Sequence, residues 1–362
     1  MTWESVRTEF PALENWTWLN TATYGQVPLR TRAAVDRHFA RRDQTACTDF
    51  LAWFDDVDGI RGLIGQLINC EADDVAFAMN TASALSLFLG GIDWHEGDRI
   101  VTLRDEFPNQ YYCAASLADR GVELIAMNEI NSLPERTRAV LVSTVNYSNG
   151  YRPDVAFISH LAGRAGALLY VDGTQSVGAL RFDVAAVKPH MLAVDGYKWL
   201  LCPNGATFFY IAPELRRTLL PSVIGWRSDI GWRSVDELYQ GSQRMPEAAE
   251  KYEGGMLNFP SIYGAGESIR MMLELGPERI ERRVLELAEL TAEMLRQSGA
   301  SVLNGNTHIV AAHWPDRDAS SLVKKLQEQR IVVAARYGNL RVSPHFYNSE
   351  ADIERLRVAL SA

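Results

Sequence analysis

Short apolar runs, mostly unbroken, alternate with stretches of helical spacing through the first two thirds of the chain. VAFAMN (75–80), RIVTL (99–103), VELIAM (122–127), AVLVSTV (139–145), ALLYVDG (167–173), HMLAVDG (190–196) and ATFFYIA (206–212) read as strands. TASALSLFLGG (81–91), YYCAASLADRG (111–121, closed by Gly121) and FISHLAGRAG (157–166) read as helices between them. Runs such as ALLYV and AVLVS are apolar throughout, as strands covered on both faces must be. The pattern predicts an α/β fold with a mostly parallel sheet, helices on both of its faces, and ligands at the strands' carboxyl ends.

The flanks differ. Residues 1–15 predict a short helix and turn, WTWLNTATYG (16–25) an aromatic strand ending in a polar turn, and 30–69 helix. The polar stretch 221–255, with its two GWR triplets, reads as a long functional loop. An amphipathic helix over 278–297 leads to a smaller α/β unit with strands in HIVAAHW, RIVVAAR and NLRVSP and a closing helix in SEADIERLRVAL. The expected division is an N-terminal segment (1–18) packed with the small domain, a large domain (19–255) and a small C-terminal domain (256–362).

Composition narrows the function classes. A chain of 362 residues with 47% hydrophobic and 22% charged residues can build two packed cores. A net charge of -9 disfavours nucleic acid and anionic membrane as partners. No apolar run approaches a membrane span, and the acidic, proline-containing start is unlike a secretory signal, so a cytoplasmic protein is expected. Cys47, Cys70, Cys113 and Cys202 are scattered with no CxxC pair, which suits neither a zinc site nor a disulfide framework. No metal is expected.

Chemistry collects where the strands end. Lys198, in DGYKWLLCPNG, follows an apolar strand, where partial desolvation favours a neutral, nucleophilic amine suited to a Schiff base. Taken alone it reads as a solvated loop lysine. Asp172 ends an equally apolar strand 26 residues earlier, so adjacent strand ends would offer a carboxylate and an amine to one crevice. That pair is what a pyridoxal cofactor needs. Asp172 alone reads as a turn cap before Gly173. Thr81, Ala82 and Ser83 open a helix and could cradle a phosphate, or simply cap it.

These residues lie in VDGTQSVG and DGYKWL, and with LRVSPHFYNSEADIERL they resemble the fold-type I pyridoxal-phosphate enzymes, specifically the class V aminotransferases. Cysteine desulfurases, selenocysteine lyases, isopenicillin-N epimerases and kynureninases are its relatives. The resemblance runs from about Leu19 to the C-terminus. It implies pyridoxal 5′-phosphate as cofactor, Lys198 as the Schiff-base lysine and Asp172 as partner of the pyridine nitrogen. Gln175 would donate to the ring hydroxyl. Thr81, Ala82 and Ser83 would hold the phosphate with Tyr197, Arg341 would receive the substrate carboxylate, and Asn20 and Tyr147 would lie on the substrate side. A homodimer is implied too, with an amino acid as substrate and a 2-oxo acid as a candidate second one.

Departures from the family pattern narrow the chemistry. Phe107 stands where desulfurases carry a histidine, and it can stack on the ring but cannot move a proton. Tyr147 stands where many relatives have Asn, Asp195 where they often have a phosphate-binding Ser, and Met256 where they often have a Thr reaching the partner's phosphate. A carboxylate at 195 would repel a phosphate and receives no such role. His308 and His313 are expected to be structural or surface residues, and Arg336, close to Arg341, either an ordinary surface arginine or one that reaches the active site. The Trp226–Arg227 pair is a candidate for the substrate entrance. No cysteine precedes Arg341 at the desulfurase nucleophile's place. The expected activity is a class V aminotransferase. A β-eliminating lyase or an epimerase is the alternative, and a non-catalytic binding protein of the same fold the alternative from another class.

Overall fold

A computed structural model describes residues 2–361. Seven strands form the large sheet, in the order Val75–Ala78, Thr207–Ile211, Met191–Val194, Leu168–Asp172, Thr137–Ser143, Arg99–Leu103, Glu123–Met127. Every neighbouring pair is parallel except those made by Thr207–Ile211, which runs antiparallel to both of its neighbours. The all-apolar strands are buried as their composition requires: Val140, Val142, Val171, Leu192 and Phe209 are fully covered.

The helices the spacing predicts are present, the one over 111–121 as Pro108–Ala115 with a separate 3-10 turn, and Val184–Val187, Pro213–Arg216 and Ala319–Glu328 are additional. The stretch 30–69 is two helices, Leu29–Thr45 and Phe50–Ile68, separated where Ala46 and Cys47 turn left-handed. A third, Phe259–Leu275, packs on both and buries Phe259, Ile262, Ile269 and Met272 in the large core, although its residues were grouped above with the C-terminal unit. Residues 221–255 are irregular, with three short 3-10 turns.

The second core lies beneath the sheet Ala334–Arg336, Asn339–Val342, Val310–His313, Ser301–Val302. Helices Pro277–Gln297, Ala319–Glu328 and Glu350–Ser361 bury Leu287, Leu295, Leu326 and Leu356 against it. The N-terminal segment joins here: Thr17–Trp18 pairs in parallel with Ile331–Val332, and Asn20 bridges Ser343. The chain then crosses to the large sheet so closely that a Cβ on Gly25 would sit 2.0 Å from the Lys198 carbonyl oxygen. Gly25 also donates its N–H to the Tyr197 carbonyl at 2.9 Å. Residues 20–25 are thereby laid across the mouth of the strand ends. Among the described residues no helix is long and apolar enough to cross a membrane.

Candidate active site

Register places the central residues. Ser143 is paired with Asp172 and Asp172 with Ala193, so the ends of three parallel strands lie side by side. Asp195 and Lys198 follow directly on the third. Asp172 is buried, its Oδ1 accepts the Thr174 N–H at 2.9 Å, and burial raises its pKa against that hydrogen bond. Lys198 is buried as well. Desolvation lowers the pKa of its amine, Asp172 and Asp195 oppose that, and Arg341 and Arg336 reinforce it. An amine so placed is pushed toward the neutral form a nucleophile requires. Its Nζ lies 5.7 Å from the Phe107 ring centre and 5.5 Å from that of Tyr197.

A chain of contacts runs from Phe107 to the small sheet. The Phe107 ring meets Tyr147 edge-on at 5.1 Å, and the Tyr147 carbonyl accepts from Arg341 Nη1 at 2.5 Å. Arg341 Nη2 donates to Asn20 Oδ1 at 3.0 Å and to the Thr23 hydroxyl. The guanidinium is 1% exposed, its Nε has no partner, and all its acceptors are neutral. Burial and the neighbouring Arg336 push its pKa down to about 9. A buried cation with no anion is expensive unless a ligand supplies one.

At the ring end, Gln175 is held at both atoms of its amide. Its Nε2 donates to the Ala22 carbonyl at 3.0 Å, and its Oε1 accepts from Trp199 Nε1 at 2.8 Å. One N–H remains for a ligand. The small unit braces this arrangement from behind, with His308 Nε2 at 2.6 Å from the Gln175 carbonyl and His345 Nε2 at 2.8 Å from that of Trp199. Both histidines are buried, and desolvation lowers their pKa to about 3, so they stay neutral.

The phosphate end differs from the simplest expectation. Asn80 caps the helix Thr81–Gly90, and its Oδ1 takes both the N–H and the hydroxyl of Ser83, which is exposed. The Thr81 hydroxyl donates to Asp195 Oδ2 at 3.1 Å, and Thr207 holds Oδ1 of the same carboxylate. Asp195 is thus tied to one hydroxyl at each carboxylate oxygen. The Ala82 N–H lies in the first helical turn, where donors have no intrahelical acceptor.

Several expectations outside the centre change. Arg227 is 1% exposed and paired with Glu250 and Glu253, and it stacks on Phe54 and Trp232, so it anchors the loop 221–255 and does not line an entrance. His313 is exposed, whereas His308 braces Gln175 as described. Arg336 is not an ordinary surface arginine, since its Nη2 reaches the Thr23 hydroxyl at 3.4 Å, beside Arg341. Two residues carried no signal in the sequence. Thr23 sits in a polar turn like any other. Glu106 is a buried carboxyl whose oxygens take the N–H (2.7 Å) and hydroxyl of Ser143, and burial lifts its pKa to about 7.

A buried amine and a buried carboxyl at the strand ends of the large sheet thus lie close to a buried guanidinium, carried by the small sheet, that has no anionic partner among the described residues. The family profile described as "Aminotransferase class-V" matches residues 51–356, and the chain belongs to that family. Its cofactor is pyridoxal 5′-phosphate. A "Probable cysteine desulfurase" of Methanothermobacter thermautotrophicus is 24% identical, covering 98% of this chain and 96% of its own. "Isopenicillin N epimerase" of Streptomyces clavuligerus is 26% identical over 99% and 98%. Among solved structures, the apo cysteine desulfurase of Thermococcus onnurineus NA1 superposes with a TM-score of 0.88 at 21% identity, over 98% and 96% of the two chains. The cystine C-S lyase C-DES, complexed with its product cysteine persulfide, gives 0.88 at 21% over 97% and 99%. These likenesses establish the large sheet with its smaller α/β unit as the fold-type I arrangement.

Proposed function

We propose that this chain is a pyridoxal-phosphate lyase that takes the α-proton from an amino acid and expels its β-substituent. The observation that carries the reading is the buried, desolvated Lys198 amine, set beside Phe107 where a histidine would offer a second proton. Lys198 would hold the cofactor covalently and, once displaced by the substrate amine, take the α-proton. Asp172 would pair with the ring nitrogen, and the remaining Gln175 N–H would meet the ring hydroxyl. When bound, the cofactor accepts the electron pair released at the α-carbon. The Ala82 N–H and Tyr197 remain for the phosphate, whereas the hydroxyls of Thr81 and Ser83 are spent on Asp195 and Asn80. Arg341, oriented by Asn20 and Thr23, would take the α-carboxylate, and Tyr147 would line the space beside it.

The aminotransferase expected from the resemblance shares every one of these residues. The relatives' names include a C-S lyase among the structures, and that favours elimination. The thiol chemistry of a desulfurase has no support in the residues. Cys202 is 1% exposed, with burial pushing its thiol up to about 12, and no cysteine lies in the stretch 324–340 that leads into Arg341. Epimerisation needs a proton returned from the far face of the substrate, and Phe107 has none to give. A homodimer is supported by an exposed apolar group on and beside the loop 221–255, with Leu220, Val223, Ile224 and Met256 all largely uncovered.

β-Chloro-L-alanine tests the reading. The cofactor-loaded protein should release pyruvate and ammonia from it in equal amounts. Amino-group transfer to an added 2-oxo acid, without ammonia, would overturn elimination in favour of transamination.

A further inference from the structure

Two arginines, Arg336 and Arg341, converge on the Thr23 hydroxyl. Ala334–Arg336 and Asn339–Val342 are antiparallel neighbours, with Ala334 opposite Arg341 and Arg336 opposite Asn339. Residues directly opposite share a face, and so do alternate residues of one strand, so Arg336 and Arg341 project from the same face as diagonal neighbours. Such a pair lies roughly 7–8 Å apart at the backbone. Their side chains converge, because both Nη2 atoms donate to the hydroxyl of Thr23.

Like charges meeting at one neutral oxygen repel, and an ordinary surface would separate them or place an acid between. Among the described residues no carboxylate lies within salt-bridge distance of either. Arg336 uses Nη1 on the Ala335 carbonyl and Nη2 on Thr23, and Arg341 bonds only Tyr147, Asn20 and Thr23. Of the other arginines in the small unit and the N-terminal segment, Arg7 pairs with Asp352 and Arg283 with Glu350, while Arg317 and Arg355 donate to backbone carbonyls. The field of Arg336 reaches inward as well, acting on Arg341, Tyr147 and Lys198.

The Tyr147 and Tyr337 hydroxyls lie 2.6 Å apart, and Tyr337 is the residue after Arg336. The strand pair that carries both arginines lacks any cysteine.

We infer that Arg336 is a second anion receptor and that the substrate is an amino acid whose far end carries a carboxylate. Arg341 takes the α-carboxylate and Arg336 the distal one, one strand over. The inference rests on the cofactor site proposed above, and it adds the substrate class to that site.

The test measures binding to the cofactor-loaded protein by calorimetry, with glutarate and butyrate as probes that differ by one carboxylate. Glutarate should bind at least about fivefold more tightly than butyrate, the effect of one added charge-assisted contact. Arg336→Gln should abolish that preference while changing butyrate affinity less than about twofold, and Arg341→Gln should weaken both. Equal affinities in the unaltered protein would overturn the inference, as would equal weakening of both probes by Arg336→Gln, which would make Arg336 a helper at the α-carboxylate. Failure of the underlying cofactor reading shows itself separately, as protein that takes up no pyridoxal phosphate before any probe is added.

Discussion

Arg341 should weaken the protein it serves. Its pKa falls on folding from the ordinary arginine value to about 9, because burial and Arg336 disfavour the charged form. The unfolded chain therefore holds its proton more firmly, and stability rises with pH only between those two values. Below about pH 9 the full cost is present, on the order of 5 kcal/mol. Against it stand hydrogen bonds to the Tyr147 carbonyl, Asn20 and Thr23. At about 1 kcal/mol each, these offset roughly 3 kcal/mol. Arg341→Gln, which removes the charge and keeps a polar side chain, should then stabilise the ligand-free protein at pH 7.5 by about 2 kcal/mol, a rise of several degrees in Tm. The same variant should lose the rise in Tm that butyrate gives the unaltered protein, because the anion has nowhere to bind. Thermal unfolding with and without 50-fold excess butyrate reads both effects. A variant less stable by 2 kcal/mol or more, with the butyrate shift intact, would refute the claim that this guanidinium is an unpaired charge awaiting a carboxylate.

Asp172→Asn should leave cofactor uptake within a few-fold and lower turnover about a hundredfold or more, since the ring nitrogen loses its anionic partner; turnover within a factor of three would count against that pairing. Glu106 has a folded-state pKa above its unfolded one, so the folded chain holds the extra proton and stability falls as pH rises from about 4.5 to about 7. Denaturant titrations of Glu106→Gln across that window should show a smaller fall than the unaltered protein by up to roughly 3 kcal/mol, and identical slopes would exclude a desolvated carboxyl at 106. Replacing Cys47, Cys70, Cys113 and Cys202 together by Ala or Ser should leave turnover standing and yield no enzyme-bound persulfide by mass spectrometry. Loss of turnover traced to one thiol would reinstate sulfur transfer.

The sequence carried the parts of the site that strands position. Lys198 and Asp172 are legible because each ends an apolar run, and two runs that are buried on both faces must lie side by side in one sheet. Arg341 and Asn20 came from resemblance, since their contact joins residues 321 positions apart. Thr23 was silent for the same reason. Their roles exist only once the N-terminal turn, the lysine turn and the small sheet are brought together. Ser83 and Arg227 show the converse. A hydroxyl at a helix start looks the same whether it faces a ligand or Asn80, and an arginine beside a tryptophan looks the same in an entrance or in an ion network with Glu250 and Glu253. The helix Phe259–Leu275 went unseen because two glycines and a proline interrupt its pattern, yet Gly264 and Gly266 are where it comes closest to Pro203 and Ile60.

The central claim is that Lys198 and no other lysine holds the cofactor. Borohydride reduction of the pyridoxal-phosphate-loaded protein, followed by proteolysis and mass spectrometry, measures it directly. The phosphopyridoxyl mass should appear on the peptide containing Lys198, at one per chain, and should vanish in Lys198→Ala. A label at another lysine, or an unchanged label in that variant, would contradict the account.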